Sequence, residues 1–66
     1  MNEIVILEQL RKRYREEMNA AADNLANGSA TDYADYRYRC GVIYGLALAE
    51  RELLDIKSAL EHDADD

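Results

Sequence analysis

Apolar residues recur at spacings of three and four along most of this chain. Ile4, Leu7, Leu10, Tyr14, Met18, Ala21 and Leu25 fall on a single stripe of a helix face, which predicts a first helix from about Glu3 to Ala26. A cluster of breaking and capping residues, Asn27-Gly28-Ser29-Ala30-Thr31-Asp32, then interrupts the pattern. Asparagine and glycine end a helix by accepting the left-handed conformation, and Ser29 or Thr31 ahead of acidic residues starts the next by capping its free amide groups. A turn at 27–31 and a second helix from about Asp32 to Glu61 follow. The ending His62-Asp63-Ala64-Asp65-Asp66 has no apolar periodicity, and acids at a helix C-terminus oppose its dipole, so residues 62–66 are expected to fray. Two helices joined by a short turn form an antiparallel hairpin, an all-α fold in one domain over residues 1–66.

The second helix carries more apolar surface than one neighbour can cover. Val42, Leu46, Ala49, Leu53, Ile56 and Leu60 form one seam with alternating spacings of four and three, and Tyr36, Cys40, Ile43, Ala47 and Leu54 form another. At 100° per residue the two lie roughly 120° apart around the helix. The first helix can cover one; the other must meet a second copy, completing a four-helix bundle, or a foreign surface. Gly41, Gly45 and Ala49 sit four apart, leaving a line without bulky side chains along which another helix can approach closely. Each mid-helix glycine costs roughly 1 kcal/mol relative to alanine, which a close contact would offset.

Length strengthens the expectation of a partner, because 66 residues bury too little surface for a lone monomer to be more than marginally stable. Eight basic against 14 acidic residues give a net charge of −6, so the chain as a whole is repelled by nucleic acid and by anionic lipid. The apolar run from Cys40 to Ala49 is half of the roughly 20 residues that span a bilayer, and Arg39, Glu50 and Arg51 close it. A single cysteine and the lack of a secretory pattern at the N-terminus point to a reducing, cytoplasmic compartment where the chain is made.

Little in the sequence suggests catalysis. A hairpin offers little concavity, Cys40 falls on an apolar seam, and His62 stands alone among acids. Phosphate-cradling loops, CxxC and paired-histidine spacings are absent from the sequence, so neither an enzyme nor a cofactor or metal site is expected. The basic cluster Arg11-Lys12-Arg13-Tyr14-Arg15 reads as a solvated face, with Glu8–Lys12, Lys12–Glu16 and Arg13–Glu17 placed to pair on the surface. By contrast Tyr33, Tyr36, Tyr38 and Tyr44, with Arg37 and Arg39 between them, crowd the first turns of the second helix. Tyrosine and arginine are enriched among binding anchors.

The run Tyr36-Arg37-Tyr38-Arg39-Cys40-Gly41-Val42-Ile43-Tyr44-Gly45-Leu46-Ala47-Leu48-Ala49-Glu50-Arg51-Glu52-Leu53 is similar to the second helix of small helical-hairpin accessory proteins of tailed bacteriophages. The resemblance covers roughly the second half of the chain and implies a virion component attached to capsid, portal or neck, with no catalytic residues. Length, acidity and hairpin form are also similar to those of the plasmid RNA-one modulators, a likeness of fold only. The expected contact residues are Tyr36, Tyr38, Arg39, Gly41, Val42, Gly45, Leu46, Ala49, Leu53, Ile56 and Leu60. The expected partner is a protein, either a second copy or a larger phage assembly. The alternative is a small acidic regulatory or inhibitory binding module, either a host-protein inhibitor or a dimeric RNA-binding regulator like the RNA-one modulators.

Overall fold

A computed structural model describes residues 2–65, and the side chains of residues 2–62. Helix α1 spans Glu3–Ala26 and helix α2 spans Tyr33–Asp65, with no strand among the described residues. The two pack side by side as an antiparallel hairpin 52 Å long and 17 × 13 Å in section.

Local chemistry sets each helix end. Asn2 caps α1 by accepting a 2.9 Å hydrogen bond from the Val5 amide, and Glu3 complements the dipole in the first turn. At the other end Gly28 takes φ = 76°, and the amides of Gly28 and Ser29 donate to the carbonyls of Leu25 and Asn24. This is the paired-bond termination that a left-handed glycine permits. Ser29 also donates its hydroxyl to the Asn24 carbonyl at 2.6 Å and accepts from Arg39 Nη1 at 2.8 Å, so it closes α1 instead of opening α2. The cap of α2 is neither Ser29 nor Thr31 but Asp32, whose Oδ1 accepts from the Asp35 amide at 2.7 Å. Asp35 returns the bond by accepting from the Thr31 amide at 3.0 Å, and it also pairs with Arg39. Those donors, the Thr31 amide first, hold the Asp35 carboxyl below its ordinary value.

Helix α2 continues through 62–65, where fraying was expected. Nothing in that stretch breaks a helix, since it lacks glycine and proline and includes Ala64. The Lys57–Glu61 pair, one turn apart at 3.4 Å, braces the turn before it. Asp66 lies outside the described residues.

The stripe of α2 that meets α1 runs between the two apolar seams. Arg39, Ile43, Leu46, Glu50, Leu53, Lys57 and Leu60 follow one another at alternating spacings of four and three, and all are buried or half-buried. Opposite them on α1 lie Ile4, Leu7, Tyr14, Met18, Ala21 and Leu25, none of which is exposed. Among the described residues only Met18 and Leu53 form a buried apolar core, at 7% and 5% exposure.

Glu50 sits inside this stripe, 6% exposed. Its carboxylate accepts from Arg15 Nε at 2.6 Å and Arg15 Nη2 at 2.9 Å, and from Arg11 Nε at 3.4 Å. Two turns further on, Lys57 bridges to Glu8 at 3.3 Å. These pairs place Arg15 level with Glu50 and Glu8 level with Lys57, which fixes the register of the hairpin. The surface pairs Glu8–Lys12, Lys12–Glu16 and Arg13–Glu17 do not form. Glu8 reaches Lys57 of α2 instead, while Arg11 and Arg15 turn to the desolvated Glu50 carboxylate, where a charge-assisted bond is stronger than an exposed pair one turn away.

Candidate protein-contact surface

The structure divides the expected contact residues into two groups. Leu53 is buried, and Leu46 and Leu60 are half-buried with it in the stripe against α1, so these three belong to the hairpin and not to a partner. Arg39 is likewise committed, to Asp35 and Ser29. Val42 at 41% and Ile56 at 55% exposure were assigned to the same seam but lie on its outer flank. Tyr36, Tyr38, Gly41 and Gly45 are also exposed, and Ala49 is half-buried at the boundary.

Two apolar groups outside the expected set join them. Ile6 and Leu10 of α1 are exposed, and both stand off the stripe that faces α2. Leu10 was read as part of that stripe, but its 80° offset from Met18 turns it outward. At 100° per residue Tyr38, Val42, Ala49 and Ile56 fall within about 40° of one another on one flank of α2. Ile6, Leu10, Ala21 and Asn24 fall within about 60° on one flank of α1. A hollow of about 150 Å³ lined by Ala21, Asn24, Arg39 and Val42 shows that the two flanks share one side of the hairpin. That side therefore carries exposed apolar residues of both helices, Ile6, Leu10 and Ile56 towards the open end and Val42 towards the turn, with the exposed Arg13 and Glu17 of α1 between them.

The remaining tyrosines point elsewhere. Tyr33 and Tyr44, on the far side of α2, are 74% and 66% exposed, and Tyr33 stacks with Tyr36 at a centroid distance of 6.4 Å. Tyr36 lies beside Cys40, whose thiol raises the phenol above its ordinary value. None of the four tyrosines of α2 is covered by the turn or by α1.

Close packing of the hairpin does not explain the glycines. A Cβ placed on Gly41 or Gly45 meets nothing within 4 Å. Within one chain these residues therefore cost helix stability without allowing any approach to α1. Gly45→Ala is expected to stabilise the dilute, monomeric hairpin by up to about 1 kcal/mol, read as a rise in the thermal midpoint. A fall would show a strain at that position that the packing does not contain.

Among the described residues no group of three or more His, Cys, Asp or Glu side chains converges as for a metal ion, and no helix is long and apolar enough to cross a membrane. Cys40 is half-buried and His62 exposed. Arg11 and Arg15 are drawn to Glu50, which leaves Lys12 and Arg13 as the outward members of the basic cluster. Comparison of the chain with protein-family models, curated proteins and solved structures gave no match.

Proposed function

We propose that this chain works by contact and not by catalysis, as a small structural or adaptor protein that docks on a larger assembly through α2. The observation that carries the reading is the exposure of Tyr33, Tyr36 and Tyr44 within about 80° of one another on α2. Amphipathic rings held on a rigid helix lose little conformational freedom on binding and bring both apolar area and a hydrogen-bonding end. The likeness to phage hairpin proteins supports a virion as the assembly, with the hairpin seated on capsid, portal or neck.

Purified particles test this. The chain is expected to co-sediment with them in a copy number set by particle symmetry, and Tyr33→Ala/Tyr44→Ala is expected to cut incorporation by about tenfold. A chain found free in infected cells and absent from particles would overturn the virion reading and favour the regulatory or inhibitory module.

A further inference from the structure

The strip formed by Ile6, Leu10, Val42 and Ile56 is separate from the Tyr33–Tyr44 side, and the two need not serve the same partner. We propose that the strip is covered by a second copy of this chain, in an antiparallel two-fold dimer whose axis passes level with Ala49.

Area is the first argument. A compact monomer of 7.5 kDa exposes about 4,200 Å², whereas this hairpin exposes 5171 Å². The excess matches the roughly 800 Å² that each partner buries in a stable interface. A face measuring 52 × 17 Å supplies it.

Self-complementarity is the second argument, and it fixes the orientation. Val42 and Ile56 lie seven residues to either side of Ala49, about 10.5 Å along the axis in each direction. A two-fold axis perpendicular to the helices at Ala49 therefore sets Val42 of one copy over Ile56 of the other. Through the register given by the Glu50 and Lys57 ion pairs, the same operation carries Ile6 and Leu10 of one copy to the level of Ala21, Asn24 and Arg39 in its partner. That is the 150 Å³ hollow. Ile6 and Leu10, which border an open depression of their own with Gln9 and Arg13, thus lie over the partner's α1–α2 hollow, and the contact is isologous. Rotation about an axis parallel to the helices instead would set Val42 and Ile56 against the partner's α1 and not against each other. At the centre, Arg13 comes within two residues' rise of the partner's Glu17, so the acidic chain gains opposite charges where the copies meet. Gly45 and Ala49 lie next to the axis, where lack of bulk lets the two α2 helices approach.

The dimer builds on the contact function proposed above and leaves Tyr33 and Tyr44 free for the larger assembly. Light scattering on the purified chain is expected to give twice the 7.5 kDa chain mass. Ile56→Glu should weaken the association about a hundredfold, because each change enters a two-fold interface twice. In a Cys40→Ser background, mild oxidation should cross-link Ala49→Cys to itself. Val42→Cys and Ile56→Cys should cross-link to each other, but neither to itself. Ala47→Cys, on the opposite flank of α2, should stay unlinked. Circular dichroism confirms that each variant remains helical. A chain of monomer mass at every concentration would overturn the dimer, and so would cross-linking through Ala47→Cys in preference to Ala49→Cys. The particle experiment is independent: a monomer that co-sediments with virions refutes only the dimer, and a dimer absent from virions refutes only the virion reading.

Discussion

The double substitution Arg11→Met/Arg15→Met is expected to destabilise the hairpin by about 2–3 kcal/mol at neutral pH. Methionine keeps much of the aliphatic stem of arginine, so the loss is electrostatic. The Glu50 side chain is only 8% exposed, and the two guanidinium groups are its only partners. Removing them strands a carboxylate away from water, a change that costs about 3–5 kcal/mol in a fully buried site. The arginine side chains are 44% and 54% exposed, so solvent reaches the outer side of the cluster and the figure is reduced accordingly. Adding Glu50→Leu to the double variant should restore most of the stability, since an apolar trio can replace a buried ion pair. Thermal melts at neutral pH measure all three chains. A double variant that melts with the parent at pH 7 would show that water already solvates Glu50 in the folded state.

The second large effect separates two residues that the sequence pattern treats alike. Leu53→Ala is expected to cost about 2–4 kcal/mol, which is most of what a chain of this size commands. One of the two buried apolar side chains would be truncated. The melting midpoint should fall by on the order of 10–20 °C. Ile56→Ala, one turn on, should change the dilute monomer by no more than about 0.5 kcal/mol, because Ile56 is 55% exposed there. Equal losses at the two positions in dilute protein would mean that both face α1, against the packing described.

That contrast shows what the residues reveal and where pattern reading stops. The two helices and their turn are legible from apolar spacing and from Asn27-Gly28-Ser29, because these features act locally. The face of α2 that meets α1 is not legible from hydrophobicity, because Glu50 and Lys57 occupy two of its positions. A reading that follows only apolar residues steps around them and splits one stripe into two seams. The signal is in the complementary helix, where Glu8, Arg11 and Arg15 fall on or beside the inward stripe at levels that match Lys57 and Glu50. Only a joint reading of both helices under an assumed register would have found it. The outward turn of Leu10 was hidden for a related reason, since spacings of three and four drift around a helix and a run of them does not guarantee one face.

The termination at Gly28 and Ser29 also bears on how fast this chain reaches its fold. Ser29 joins the Asn24 carbonyl at the end of α1 to the Arg39 side chain in the second turn of α2, so the turn is held by contacts close in sequence. Closing so short a loop takes on the order of 10–100 ns. Each later contact between α1 and α2 then forms next to one already made, from Leu25 near the turn towards Ile4 at the open end. The hairpin should therefore fold by zippering on the microsecond scale, in keeping with its mostly local contacts. Its amides should exchange with solvent fastest at the open end, around Leu60 opposite Ile4, the last part of the hairpin to close and the first to part.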